Sequence, residues 1–121
     1  MTTILVVDDH PGFRATARRM LEGDGWTVIG EAEDGASALI AVSELRPDVV
    51  LLDIGLPDVD GFGVAERLAS RGGGGPAIVL VSSRDRGSYG GRLAASPALG
   101  FVAKDDLNGP GLRALLAGAT G

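Results

Sequence analysis

The chain has no cysteine, a single histidine (His10) and a single lysine (Lys104) among 121 residues. Without cysteine there are no disulfides and no thiolate metal sites. No apolar run approaches the roughly 18 residues of a membrane span. The first residues also lack the basic-then-apolar pattern of a secretory leader. These absences make a cytoplasmic protein the expectation. A basic face is missing too: 16 acidic residues stand against 11 basic ones, for a net charge of −5. Neutralising phosphates takes clustered Lys and Arg, so direct DNA binding by this chain is not expected. Lysine is singular where arginine is used everywhere else, and the two differ most where a compact point charge is needed in a tight site.

What the chain does have is a hydrophobic content of 45%, enough for a folded core in one domain spanning 1–121. Its centre is the run Val49-Val50-Leu51-Leu52, closed by Asp53. Four apolar residues in a row, bounded by Pro47 and by a turn-rich stretch, read as a strand buried on both faces. Such a strand delivers Asp53 to the C-terminal edge of a parallel sheet, where open α/β sheets place their ligands.

Four further apolar runs have the same form. Residues 3–8 end in Asp8 and are followed by Asp9 and His10. Residues 26–32 follow, then 76–82 ending in Ser82, and 99–103 ending at Lys104. Between them lie helical patterns. Phe13, Ala17, Met20 and Leu21 form one amphipathic face, with Pro11 suited to the first turn. Ala38, Leu39, Val42 and Leu45 form the second, and Phe62, Val64, Ala65 and Leu68 the third. Residues 84–96 should be the fourth helix, but Gly87, Gly90 and Gly91 each weaken a helix by about 1 kcal/mol, so a short, frayed or displaced element is expected. Leu107, Leu112, Leu115 and Leu116 mark the fifth. Residues 72–75 form a four-glycine loop. Strands and helices alternating at this spacing predict (βα)5: a doubly wound, five-stranded parallel sheet in a three-layer α/β/α sandwich.

In a parallel sheet the strand ends share one edge, so Asp8, Asp9, Asp53, Ser82 and Lys104 converge. Carboxylates a few ångströms apart raise one another's pKa unless a cation compensates. Mg2+ takes oxygen ligands and keeps positions open for a phosphate. A cation, a hydroxyl donor and Mg2+ suit the charge of a phosphoryl group in transfer, and carboxylates such as Asp53 do form acyl phosphates.

The segments Ile4-Leu5-Val6-Val7-Asp8-Asp9-His10-Pro11, Pro47-Asp48-Val49-Val50-Leu51-Leu52-Asp53-Ile54-Gly55-Leu56-Pro57-Asp58-Val59-Asp60-Gly61, Val79-Leu80-Val81-Ser82-Ser83 and Gly100-Phe101-Val102-Ala103-Lys104-Asp105 resemble the receiver domain of two-component response regulators. Asp8-Asp9-His10-Pro11 and Lys104-Asp105 are most similar to receivers of the NarL/FixJ type. The resemblance implies the flavodoxin-like strand order 2-1-3-4-5 and a phosphorylation-dependent switch that regulates transcription. In it Asp53 accepts a phosphoryl group from a histidine kinase. Asp9, Asp53 and the Gly55 carbonyl bind Mg2+, and Asp8 acts through water. Lys104 pairs with the phosphoryl oxygens, Ser82 is the switch hydroxyl, and Phe101 is the aromatic that turns inward on activation. The implied output face is helix four, strand five and helix five, used for a downstream protein or for dimerisation. The chain would not be an enzyme beyond accepting and losing its own phosphoryl group.

Departures from the family carry expectations of their own. Asp105 follows the lysine where many members have proline, so the bond is expected to be trans, with some repositioning of the loop. Gly55 has no side chain to shield the phosphoryl group from water. His10 is not expected to carry a phosphoryl group, and Trp26 is expected to pack away from the reactive edge. Two other readings stand beside the switch. One is a receiver-like binding module that does not use phosphate. The other is a phosphohydrolase of the haloacid-dehalogenase type. Those enzymes have a second Asp two residues after the nucleophile, where this chain has Gly55. Their acidic pair comes last in the chain, and here it comes first. No helix-turn-helix is present in these residues, so the chain is either a stand-alone receiver or part of a longer regulator.

Overall fold

β3, Val49–Asp53, is buried at every position. It lies at the centre of a five-stranded parallel sheet with the order β2-β1-β3-β4-β5. A computed structural model describes residues 2–71 and 75–120. Residues 72–74 of the glycine loop lie outside the described residues. The other strands are β1 (Thr3–Val7), β2 (Thr27–Ala32), β4 (Ala77–Ser82) and β5 (Gly100–Ala103). The helices are α1 (Pro11–Gly23), α2 (Gly35–Leu45), α3 (Gly61–Ser70), α4 (Arg92–Ala95) and α5 (Gly109–Thr120). The expected (βα)5 architecture and strand order are therefore observed.

The sheet divides the core in two. Ala38 and Val42 of α2 and Phe62, Val64, Ala65 and Leu68 of α3 pack on one face, and Leu93 of α4 leans on the same side. Ala17 and Leu21 of α1 and Leu112 of α5 pack on the other, together with Trp26. β1 pairs with both β2 and β3, so the winding reverses between β1 and β3. Sheets of this kind bind ligands at that reversal, beyond the strand ends.

Local chemistry fixes several boundaries. Asp34 caps α2 by accepting the Ser37 N–H at 2.8 Å, and the Ser37 hydroxyl reaches back to the Asp34 N–H, a reciprocal cap. Asp48 accepts the Thr3 N–H at 2.9 Å and the Thr3 hydroxyl at 3.1 Å, clamping the entrance of β3 to that of β1.

Some boundaries differ from those expected. Leu107 is not helical. Its N–H closes a 3-10 turn over Lys104–Asp106, and Asn108 then caps α5 by accepting the Gly111 N–H at 2.6 Å. Trp26 precedes β2 rather than starting it; it packs away from the reactive edge as expected, in the α1/α5 half of the core. Leu45 does not face the core; it is 43% exposed at the end of α2, beside Gly30. The fourth helix is short, as its glycines require: a 3-10 turn, Arg86–Tyr89, then the single turn of α4. Gly90 between them has φ 54° and ψ −134°, a backbone state open in practice only to glycine.

Candidate functional site

Three buried polar residues lie at the C-terminal edge of the sheet: Asp8, Asp53 and Ser82, none more than 4% exposed. Asp8 follows β1, while Asp53 and Ser82 are the last residues of β3 and β4. Lys104 arrives directly after β5. Its Nζ lies 2.7 Å from Asp8 Oδ2 and 3.7 Å from Asp53 Oδ2. The same ammonium lies 4.6 Å from the centroid of the Phe13 ring, a cation–π contact from α1.

The acidic side of the site is crowded. Carboxylate oxygens of Asp8, Asp9 and Asp53 and a ring nitrogen of His10 all lie within 4.8 Å of one another. Asp8 Oδ1 accepts the His10 N–H at 2.9 Å, and His10 Nδ1 lies 3.0 Å from the same oxygen and 3.2 Å from Asp9 Oδ1. Asp8 Oδ2 and Asp9 Oδ1 are enclosed yet receive no well-directed hydrogen bond. Lys104 compensates Asp8 Oδ2, but Asp9 Oδ1 has no fixed positive charge beside it, and an enclosed carboxylate oxygen left so is costly without a cation. A hard divalent ion with oxygen ligands fits this donor set. Burial, and after it the charge of Asp8, holds the Asp53 carboxyl above the usual carboxylate range, while Lys104 pulls the other way.

Backbone packing positions Asp53. The Gly61 N–H at the start of α3 donates to Ile54 O at 2.9 Å. A Cβ on Gly61 would meet Asp53 O at 2.6 Å and Ile54 Cα at 2.8 Å, so only glycine allows this approach. Asp58 anchors the same loop to α2, accepting the Gly35 N–H at 2.8 Å and the Ala36 N–H at 3.0 Å. Backbone N–H groups, that of Gly35 first, bring its carboxyl down to about 2. Gly55 stands in the open, with nothing near where a Cβ would be, and its N–H reaches Asp53 Oδ1 at 3.3 Å.

The residues expected from the strand ends do converge: Asp8, Asp9, Asp53 and Lys104 are in one cluster. Ser82 closes the same edge, but its hydroxyl is turned to the segment after β4. It accepts the Arg84 N–H at 3.0 Å and is hydrogen-bonded to the Tyr89 hydroxyl. Phe101 is buried, with its ring 6.0 Å from that of Tyr89 and Arg86 stacked 5.4 Å from its centroid. Tyr89 and His10 were not anticipated as members of the site. Tyr89 is the chain's only tyrosine, seven residues beyond Ser82, and that singularity was the one signal available. The Lys104–Asp105 bond is not cis, since the described residues include no cis peptide bond.

A five-stranded parallel sheet with three acids, a hydroxyl and a lysine at one edge defines the class. The sequence pattern of the response regulator receiver domain matches residues 4–114, and the chain belongs to that family. The receiver domain of the response regulator NarL from Mycobacterium tuberculosis superposes with a TM-score of 0.86 at 36% identity, covering 99% of this chain and 97% of that one. A transcriptional regulator of Pseudomonas aeruginosa is 39% identical over 104 residues, 86% of this chain and 50% of its own length. The DNA-binding transcriptional activator EvgA of Escherichia coli is 35% identical over 102 residues, 84% of this chain and 50% of its own length. The chain thus spans about half the length of these curated relatives. No helix among the described residues is long and apolar enough to cross a membrane.

Proposed function

We propose that this chain is a phosphorylation-dependent switch of a cytoplasmic two-component system, with Asp53 as the phosphoacceptor and a histidine kinase as the donor. The observation that carries this reading is the buried Asp53 carboxylate, set beside Lys104, the Asp8 carboxylate that Lys104 pairs with, and the enclosed Asp9 Oδ1, which receives no hydrogen bond. In the transfer an Asp53 carboxylate oxygen attacks phosphorus and a P–O bond forms. The P–N bond to the donor imidazole breaks, its electron pair stays on nitrogen, and that nitrogen takes up a proton. Loss of the group is hydrolysis: water attacks phosphorus, and inorganic phosphate and the Asp53 carboxylate are released. Beyond these two steps on itself the chain is not an enzyme.

Asp9, Asp53 and the Gly55 carbonyl are the residues that would hold Mg2+, with Asp8 acting through water. When bound, Mg2+ offsets the mutual repulsion of the carboxylates and the charge on the phosphoryl oxygens. Lys104 supplies a fixed positive charge on the side of Asp8, within reach of Asp53. Ser82 supplies a hydroxyl once it leaves its present partners. Contacts made only with the phosphorylated form shift the resting population. The shift is read by a downstream protein, or by a second copy of the chain, through α4, β5 and α5. The relatives named as transcription regulators support transcription as the output, with DNA contacts made outside this acidic chain.

Intact-mass measurement with Mg2+ and a small-molecule phosphodonor tests the reading. One phosphoryl group is expected on the parent and none on Asp53→Asn. No addition at high donor, with Mg2+ binding also absent, overturns it. A binding module that does not use phosphate would then take its place, a reading favoured by the collapse of the fourth helix to a single turn.

A further inference from the structure

We infer that Tyr89 is a latch on Ser82: its hydroxyl and the phosphoryl group on Asp53 compete for the same serine hydroxyl. The inference rests on the reading of Asp53 as phosphoacceptor and assigns a new residue to the switch. Ser82 is buried, and both of its side-chain hydrogen bonds go to the segment that follows β4, to the Arg84 N–H and to Tyr89. Neither goes to Asp53 or Lys104. With the Ser82 hydroxyl accepting from the Arg84 N–H and donating its one proton to the Tyr89 oxygen, it must give up Tyr89 to donate to a phosphoryl oxygen.

Tyr89 is held as a latch must be. Its ring meets Phe62 edge-on, with centroids 5.7 Å apart at 67°, and Phe101 at 6.0 Å and 59°. Those contacts fix the ring body and aim the hydroxyl at the end of β4. The Ser82 hydroxyl is its hydrogen-bond partner among the described residues. A half-buried phenol that loses its partner carries the cost of an unsatisfied group, or it turns out to water. The backbone allows the second course. Tyr89 ends a 3-10 turn of four residues rather than sitting within a helix, and Gly90, at φ 54°, is followed by Gly91. Turning Tyr89 outward there breaks no helical ladder.

The consequence reaches the output side. Gly90 and Arg86 line a groove of about 440 Å³ whose walls include Leu93, Leu99 and Phe101. Phe101 alone does not connect the switch to this groove, because the ring that touches the serine is Tyr89. Tyr89 is thus a positioning residue: it acts on the phosphoryl site through Ser82 and reaches the groove through Phe101, the ring it packs on and one of the groove's walls.

The chain's single tyrosine makes the test direct, since a 13C label on the tyrosine Cζ gives one resonance. Phosphorylating the parent should move that resonance toward the value of tyrosine in water. Ser82→Ala should move it without phosphate. Tyr89→Phe should raise the rate of phosphorylation by a small-molecule donor about threefold to tenfold, the range of one net hydrogen bond. Half-saturating Mg2+ should stay unchanged, a split that general loosening of the fold would not produce. In a Ser82→Ala background, Tyr89→Phe should add nothing, the non-additivity of a shared contact. A resonance that stays put on phosphorylation, or a Tyr89→Phe rate equal to the parent's, overturns the latch. If the parent takes up no phosphoryl group by mass, the reading of Asp53 fails and the competition with it. A shift caused by Ser82→Ala alone would then record the contact as purely structural.

Discussion

Lys104 is the ion-pair partner of Asp8: Nζ to Oδ2 is 2.7 Å, a full ångström closer than its approach to Asp53 at 3.7 Å. The one lysine of the chain therefore holds a wholly buried acid, while the neighbouring Asp53 is less compensated. Removing one member of a buried pair leaves the other charge stranded. Lys104→Ala is expected to cost about 3 kcal/mol of stability, read from urea unfolding. Part of that loss should return with added Mg2+, which replaces the missing positive charge. Recovery with sodium chloride alone would show that the effect is nonspecific.

Asp53 gives a pH signature. Burial and the Asp8 charge raise its folded-state pKa above the ordinary 3.8, so its ionised form opposes folding. The folded state binds the proton more readily, and stability falls as pH rises through that raised value. Asp53→Asn should therefore melt at a higher temperature than the parent at neutral pH. The gap should close as pH falls below the ordinary carboxylate value of 3.8, where both folded and unfolded parent are protonated. Mg2+ should narrow it at neutral pH by stabilising the parent alone. Thermal melts across pH, with and without Mg2+, measure both effects.

Two glycines beside Asp53 should behave oppositely. A Cβ at Gly61 enters the backbone of Asp53 and Ile54, so Gly61→Ala should destabilise by about 1–3 kcal/mol and slow phosphorylation. Gly55 faces open space, so Gly55→Ala should leave stability within about 0.5 kcal/mol of the parent. A longer side chain there, as in Gly55→Met, should lengthen the phosphoryl lifetime by crowding out the attacking water. Chemical denaturation and the decay of the phosphorylated mass settle these separately.

Asp58 lies on the loop that follows Asp53, and its carboxyl, brought down to about 2, serves to anchor that loop to α2. A depressed carboxyl contributes stability above its unfolded value of 3.8 and loses it as pH falls through about 2. Asp58→Asn should be less stable than the parent at neutral pH, and the two should converge near pH 2. A constant difference down to that pH would show that the amide fails for reasons other than charge.

The strand ends were legible because burial on both faces leaves an unbroken apolar run, and the first polar residue after it has one place to go. That is how Asp8, Asp53, Ser82 and Lys104 could be set on one edge from sequence. The partner of each side chain was not legible. Tyr89 reaches Ser82 across a glycine-rich stretch with no helical or strand period, so no pattern aimed its ring. Lys104's closer approach to Asp8 depends on how two loops meet above β1 and β5. Leu107 and Leu45 fit a helical apolar pattern by spacing, yet a 3-10 turn claimed the first and a helix terminus turned the second outward.

The two-sided core has a spectroscopic consequence. Tyr89 packs on the α2/α3 face of the sheet and Trp26 on the α1/α5 face, and each is the only residue of its type. Tryptophan emission thus watches the layer away from Tyr89 and reports whether the protein stays folded. Tyrosine signals watch the layer that contains it. Each variant therefore has its own folding control, read from the same sample without an added dye.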